Sequence, residues 1–420
     1  MSAMKNDRRL AIWVVNQYAL APDQAGGTRH YSLAHHLKEQ SIDSTILAGS
    51  LDYFTQKEQR LSNGQKSLSI LERDVKYVWL RTPPYRGNGV GRIKNMLAFL
   101  RAVVRWQPTA DAHAPDVVIG SSPNLFSGLA AYLLARRYGV PFVLEIRDIW
   151  PKSMVELLGV SPKHPFILTL AALERFLYQQ ADLVVGVLQG VGDHASRVIG
   201  RPVPFLWLPN GVDLKHYPDR AAEPQHNLNV FSVMYLGAHG VPNSLDTALQ
   251  AARLLQQQCH HHIRLTFVGE GVAKSDMITW AQNHDLKNVY FHDPVPKDQV
   301  PGMLADADAL LLLQRDTDLY RDGISPNKLF DYFAAAKPIV MALNSPFNPV
   351  ADADAGLTVL PEDPQALANA LLTLSRMSAA ERRAMGDRGR SYVEEHHDMR
   401  ALAHRLGNTL WVLAGNRQRG

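Results

Sequence analysis

The chain of 420 residues contains one cysteine, Cys259, so it can form no internal disulfide. Nothing in it calls for an oxidising compartment, and it reads as a cytoplasmic protein. Its apolar runs are short, and none approaches the roughly 18 residues that a spanning helix needs. The first nine residues are polar and lack the apolar stretch of a secretion signal. Two nucleotide fingerprints are missing as well. The G-x-G-x-x-G spacing fails at Gly87/Gly89, where Arg92 takes the third place, and at Gly269/Gly271, where Lys274 does. No G-x-x-x-x-G-K-S/T occurs. These absences argue against a nicotinamide-dependent dehydrogenase and a P-loop NTPase. No Asp-x-Asp follows a strand in a position to carry a nucleotide-bound cation, so no metal and no other cofactor is expected. Cys259-His260-His261-His262 does not alter this, because adjacent side chains cannot converge on one ion. His396-His397 reads as the solvated end of a polar helix.

What is present is the composition of a large globular protein, 46% apolar and 20% charged. At this length two domains of roughly 200 residues are expected. The formal charge of +4 hides an asymmetry. Residues 1–215 carry 25 Lys/Arg against 17 Asp/Glu, and the remainder 19 against 23. The basic excess suggests an anionic partner for the first half. It is concentrated between 75 and 110, where Lys76, Arg81, Arg86, Arg92, Lys94, Arg101 and Arg105 occur without one acid. Within 92–106, apolar Ile93, Met96, Leu97, Leu100 and Val103 are interleaved with these charges. That pattern fits either a basic amphipathic helix on an anionic membrane or an ordinary helix packing its apolar face on a sheet. Nucleic acid is the poorer reading, since no interleaved aromatic platform accompanies the charge.

Short apolar runs alternate with helix-period segments throughout. Strands are expected at 10–16, 42–48, 75–80, 116–120, 141–146 and 182–187, with helices at 28–40, 92–106, 125–138 and 165–180. A second series has strands at 230–236, 263–268, 289–292, 309–313, 338–342 and 357–360. Its helices fall at 244–257, 328–336, 364–375 and through 379–414. Several strands are almost continuously apolar, as parallel strands covered on both faces are. The fold class is therefore α/β, two Rossmann-like doubly wound domains. Turn chemistry at Leu208-Pro209-Asn210-Gly211-Val212-Asp213 and the polar stretch 218–229 set the boundary. The domains are 1–215 and 216–395, with 396–420 a helix crossing back to the first. Two such domains face a central cleft, where ligands bind.

Three constellations carry chemistry. Ala25-Gly26-Gly27-Thr28-Arg29 leads from the first strand into a helix, as a plain tight turn or as a cradle for an anion or sugar oxygen. Glu145-Ile146-Arg147-Asp148 ends a buried strand. There Arg147 can hold a phosphate or an acceptor and Asp148 can take a hydroxyl's proton, or the charges simply pair with one another. The strongest is Ser325-Pro326-Asn327-Lys328-Leu329, with Ser325 as N-cap and Pro326 as first helical residue. Free N–H groups, the helix dipole and Lys328 fit a pyrophosphate site, with Asp331, one turn further in, able to accept both hydroxyls of a ribose; the plainer reading is a solvated helix start with a surface Asp.

In order and spacing, these segments resemble a GT-B glycosyltransferase of family 4, the retaining, metal-independent class. The likeness runs from Gly26-Gly27-Thr28-Arg29 through Arg147-Asp148-Ile149-Trp150-Pro151 and Pro209-Asn210-Gly211-Val212-Asp213. It continues through Gly269-Glu270-Gly271 to Ser325–Asp331. It includes bacterial enzymes of O-antigen, capsule and exopolysaccharide assembly, N-acetylfucosaminyltransferases among them. The resemblance implies transfer of a hexosyl or N-acetylhexosaminyl unit from a nucleotide diphosphate sugar, UDP-linked, to a hydroxyl of a saccharide or lipid-linked acceptor. It places the donor on His239, Gly240, Gly269, Glu270, Gly271, Val295, Ser325, Asn327, Lys328, Leu329 and Asp331, with Gly26 and Gly27 adding contacts. Lys328 and Asp148 are the implied catalytic residues, and Arg29 and Arg147 the acceptor or phosphate ligands. Asp331 matches the second acid of the family's E-x7-E motif, and Gly323 stands where the first would be. Asn243 replaces a basic residue common after the Gly237-Ala238-His239-Gly240 loop. Arg86, Arg92, Lys94 and Arg101 would meet the inner face of the cell membrane. Two rivals of different class are a nucleotide-sugar 2-epimerase of the same architecture and a non-catalytic subunit of a polysaccharide assembly complex.

Overall fold

The computed structural model describes residues 9–24, 28–52, 56–58, 60–87, 89–108, 113–218 and 229–416. The chain divides into two compact units, Met1–Pro209 with Met399–Gly420, and Asn210–Asp398.

The first unit is built on an eight-stranded sheet. Its strands are β1 (Leu10–Val15), β2 (Ile42–Gly49), β3 (Ser67–Glu72), β4 (Val75–Leu80), β5 (Val117–Ser121), β6 (Phe142–Ile146), β7 (Leu183–Gly186) and β8 (Phe205–Trp207). Their order is β3-β4-β2-β1-β5-β6-β7-β8, and every pairing is parallel except that of β3 with β4. Helices α1 (Arg29–Leu37), α2 (Val90–Arg105), α3 (Leu125–Tyr138), α4 (Lys152–Leu158), α5 (Pro165–Gln180) and α6 (Val191–Ile199) connect them. On one face, Leu33 and Leu37 of α1 bury with Ile12 and Val14 of β1. On the other, Met96, Phe99 and Val103 of α2 join Leu134 of α3, Leu177 of α5 and Trp13 of β1. Glycine allows α3 to lie close, since a Cβ at Gly120 would stand 2.7 Å from that of Ala131 and 2.8 Å from the Gly128 Cα.

The second unit has strands β9 (Phe231–Leu236), β10 (Ile263–Val268), β11 (Val289–His292), β12 (Ala309–Leu313), β13 (Ile339–Ala342) and β14 (Gly356–Val359). They form one parallel sheet in the order β11-β10-β9-β12-β13-β14. Its helices are α7 (Leu245–Gln257), α8 (Lys274–Asn283), α9 (Val300–Ala305), α10 (Asn327–Ala334), α11 (Pro349–Asp352), α12 (Pro364–Arg376) and α13 (Ala379–His396). α7, α8 and α12 bury Leu249, Met277 and Leu371 in one cluster, and α9, α10 and α13 bury Leu304, Phe333 and Val393 in another. Leu329, Phe330, Tyr332 and Phe333 of α10 are at most 1% exposed. At roughly 1.5–3 kcal/mol for each buried side chain, this apolar face pins the helix that also carries Lys328 and Asp331. The last helix, α14 (Met399–Asn416), packs in the first unit, where Leu402, Leu406 and Leu410 join the α1 cluster.

Several expectations change. β3 and β8 were not legible as strands. β3 is a half-exposed edge strand, with Ile70 43% and Leu71 62% exposed, and β8 has three residues. The helical stretch expected through 379–414 is two helices, broken at His397 and Asp398. His397 is not a solvated end but 2% exposed. It stacks on Phe330 at 4.3 Å, its Nδ1 lies 3.0 Å from the Asn210 carbonyl, and its own carbonyl accepts from the Val212 N–H. Ser325 is not the N-cap of α10. Pro326 holds that place and Asn327 is the first helical residue. The Ser325 hydroxyl instead accepts from the Asn210 N–H at 3.0 Å.

Candidate functional site

In the second unit, two glycine loops meet at the C-terminal ends of β9 and β10. Gly237, Gly269 and Gly271 have φ of 149°, 142° and 157°, a region that side chains rarely enter. Space excludes a side chain too, since a Cβ at Gly269 would stand 2.0 Å from the Gly237 carbonyl oxygen, and one at Gly271 2.4 Å from that of His239. The His239 N–H donates to the Glu270 carbonyl at 2.8 Å, and the Ala273 N–H to the His239 carbonyl at 3.0 Å. The His239 ring is thereby sealed in, and neither of its nitrogens has a hydrogen-bond partner among the described residues. Burial, with the Lys274 charge, lowers its pKa to about 4, so the ring is neutral near pH 7. Glu270 is an exposed partner of Lys274 at 3.2 Å.

Lys328 reaches these loops from α10. Its ammonium donates to the Tyr235 hydroxyl at 2.5 Å and the Asn243 Oδ1 at 2.8 Å, and lies 4.3 Å from the Tyr235 ring centre. Tyr235 and Asn243 in turn both donate to the Ala238 carbonyl, at 2.7 and 3.0 Å. Every atom that contacts the ammonium is neutral, and Lys328 has no carboxylate within salt-bridge distance among the described residues. Burial alone lowers its pKa to about 7. A cation taken partly out of water without a counter-charge is costly unless an anion arrives. The start of α10 has no side-chain cap, and Asn327 stands exposed there.

Asp331 lies one turn further along α10. Its Oδ1 accepts from the Tyr217 hydroxyl at 2.8 Å. Burial raises the pKa of the carboxyl to about 6, while the phenol's hydrogen bond pulls it down. Tyr217 was not singled out from sequence, because nothing in the turn Leu214–His216 before it signals a contact 114 residues away. Leu329 is buried and Val295 half-buried in the same apolar cluster. The structure thus brings together His239, Gly240, Gly269, Gly271 and Lys328. Asp331 shares the Lys328 helix, and Ser325 turns to Asn210. One Asp-x-Asp does follow a strand, Asp316-Thr317-Asp318 after β12, and both its acids are exposed. Asp316 accepts from Asn344, and Asp318 pairs with Arg321. Among the described residues no group of three or more His, Cys, Asp or Glu is placed to hold a metal ion.

In the first unit, Glu145 at the end of β6 is 3% exposed and accepts from Arg29 Nε at 2.9 Å and the Ser121 hydroxyl at 2.6 Å. Its other neighbour is His30 Nε2 at 2.6 Å. The nearby cations hold this carboxyl well below its usual range despite burial. Arg29 also donates to the Leu208 and Pro209 carbonyls at 2.7 and 2.5 Å, so its guanidinium works inside the unit. The Arg147 and Asp148 N–H groups both point at the Ser122 hydroxyl, at 2.8 and 3.3 Å. The Asp148 carboxylate accepts from the Ser153 hydroxyl at 3.1 Å, and burial raises its pKa. Gly26 and Gly27 lie outside the described residues. α2 buries Met96, Phe99 and Val103 and turns Lys94, Leu97, Arg101 and Arg105 outward. Arg86 is exposed as well, whereas Arg92 is half-buried, its guanidinium 5.8 Å from the Trp150 ring. No described helix is long and apolar enough to cross a membrane.

Comparison with known proteins agrees with this architecture. Residues 25–211 match the model of the glycosyl transferase 4-like domain, and residues 231–377 that of glycosyl transferases group 1. No curated protein matches the chain significantly. Among solved structures it is similar to sucrose-phosphate synthase from Thermosynechococcus elongatus, at 15% identity, covering 97% of this chain and 100% of that one, TM-score 0.75. It is also similar to Anabaena HepE in complex with UDP and glucose, at 13% identity over 96% and 99%, TM-score 0.64. A third is the E. coli trehalose-6-phosphate protein bound with UDP-2-fluoro glucose, at 14% identity over 95% and 98%, TM-score 0.69. The chain belongs to the GT-B superfamily of glycosyltransferases.

Proposed function

We propose that this GT-B glycosyltransferase moves a hexosyl or N-acetylhexosaminyl unit from a UDP-linked donor to a hydroxyl acceptor, with retention of configuration and without a metal ion. The observation that carries the reading is Lys328, a part-buried ammonium that faces only neutral oxygens beside two glycine loops and an uncapped helix start. A diphosphate supplies the missing counter-charge there. The nucleotide complexes of the Anabaena and E. coli proteins support a UDP-linked donor. Asp331, oriented by Tyr217, accepts the ribose hydroxyls. The likeness to N-acetylfucosaminyl transfer rests on motif order alone.

The chemistry that fits is a same-face displacement. The acceptor oxygen bonds to the anomeric carbon as the bond from that carbon to the UDP oxygen breaks. The acceptor's proton passes to the departing phosphate, and Lys328 with the α10 N–H groups stabilises the charge that develops there. We assign the acceptor to the first unit, with Asp148 orienting the hydroxyl and Arg147 holding a phosphate. The outward Lys94, Arg101 and Arg105 of α2, together with Arg86, favour an acceptor carried on anionic lipid, as in bacterial surface polysaccharide assembly.

A thermal-shift screen of nucleotide sugars tests the donor assignment, since a ligand at about 100 times its Kd adds roughly 2.7 kcal/mol of apparent stability. UDP and at least one UDP-sugar should raise the melting temperature. No response to any nucleotide would refute the donor site. UDP released from donor alone, as fast as with acceptor, would favour the 2-epimerase reading.

A further inference from the structure

We infer a second carbohydrate site in the Asn210–Asp398 unit, a crevice between α7 and α8 that takes one neutral sugar ring. The crevice encloses about 270 Å³. The crevice is open to solvent, and this volume is on the scale of a small ligand such as a single ring. Leu245, Leu249 and Met277 form its apolar floor. Trp280 lines it as well, as does Gly240 of the loop that borders the donor site. His284 stacks on the indole at 3.9 Å and 25°, which holds the ring in one orientation.

The polar lining selects the ligand. Gln250 and Asp276, both exposed, and the half-buried Trp280 line the crevice, and no side chain of the three is hydrogen-bonded to another described residue. Arg315, the crevice's one basic lining residue, is already engaged. It pairs with Asp246 at 2.9 Å and Glu362 at 2.6 Å, and donates to the Val241 carbonyl at 3.2 Å. Asp276 therefore leaves the crevice net negative, the reverse of the charge beside Lys328, and a phosphate is repelled. Unpaired acceptors, an indole N–H and an aromatic surface together suit a pyranose. Its C–H face meets the electron-rich ring, and its hydroxyls reach Gln250 and Asp276. The choice of a sugar among neutral ligands rests on the glycosyl-transfer reading; the crevice and its charge do not.

Saturation-transfer NMR on the full chain tests the site, with methyl β-glucopyranoside and methyl N-acetyl-β-glucosaminide as probes. Transfer to the sugar ring protons is expected, with a Kd on the order of 1–10 mM for so small a ligand. Excess UDP should leave the signal unchanged. Trp280→Ala should weaken binding at least tenfold. Gln250→Ala, on an exposed helix surface and so safe for folding, should weaken it several-fold. Both variants should keep the stabilisation by UDP. The site is overturned if neither sugar shows transfer to the wild type, or if both variants bind like the wild type. It is also overturned if UDP displaces the sugar, or if an amine such as spermidine competes at lower concentration. Failure of UDP to bind would instead sink the donor reading and leave this site standing.

Discussion

Replacing Lys328 with methionine should stabilise the protein while removing its affinity for UDP. A lysine that titrates at about 7 instead of 10.5 carries an unfavourable free energy in the folded state. At about 1.36 kcal/mol for each pKa step this is roughly 4 kcal/mol at neutral pH, an upper figure because the side chain keeps some contact with water. Methionine fills the same space without the charge. The change leaves the Asn243 Oδ1 without its donor, at about 1–3 kcal/mol, and ends the contact with the Tyr235 ring, at roughly 0.5–1 kcal/mol. A net gain of about 1 kcal/mol remains, or about 2–4 °C in melting temperature for a domain of this size. The gain has a pH signature. Because the folded-state pKa lies below the unfolded one, the penalty in the wild type is complete below pH 7 and fades as pH rises towards 10.5. The advantage of Lys328→Met should therefore be largest below pH 7, vanish at about pH 8 and turn into a deficit by pH 10. Scanning calorimetry of both proteins across that range, with and without UDP, is the assay. A variant that melts lower than wild type by the same margin at every pH, and that UDP still stabilises, would refute the reasoning.

Asp331→Asn should keep the fold and weaken donor binding in calorimetry, because the amide places a donor where a carboxylate accepts. Tyr217→Phe removes the hydrogen bond that holds the Asp331 pKa down, so the loss of donor affinity on acidification, centred near pH 6 in the wild type, should move to higher pH; an unmoved limb would separate Tyr217 from Asp331. Turnover should survive EDTA, and activity lost to the chelator and restored by magnesium or manganese would overturn the metal-free mechanism. Wild type should sediment with phosphatidylglycerol vesicles at low salt, each exposed basic residue contributing about 1 kcal/mol, and Arg86→Gln, Lys94→Gln and Arg101→Gln together should release it. A wild type that stays in the supernatant would point to a soluble acceptor.

The sheets were largely legible because covered parallel strands are written as unbroken apolar runs, as in Leu-Ala-Ile-Trp-Val-Val of β1 and Ala-Leu-Leu-Leu-Leu of β12. β3 escaped because an edge strand buries little and its Ser-Leu-Ser-Ile-Leu-Glu carries a weak signal. The glycine loops could be marked from the family resemblance, but why they need glycine could not. That comes from two backbones in contact, Gly269 against Gly237 and Gly271 against His239. Lys328 could be placed at a helix start. Its neutral partners, Tyr235 some 93 residues away and Asn243 some 85, come from other elements, and no local pattern announces such a pairing. His397 was misread for a similar reason. A His-His pair at the end of a charged helix looks solvated until Phe330 and Asn210 are packed onto it.

The central claim is transfer of a sugar from a UDP-linked donor held by Lys328 and Asp331. It is tested most directly by incubating the protein with radiolabelled UDP-sugars and a bacterial lipid extract, then following label into the organic phase. The account predicts label transfer that needs both donor and extract, with stoichiometric release of UDP, and none with Lys328→Met. Transfer that is equally fast with Lys328→Met would contradict it, as would release of UDP that the extract does not accelerate.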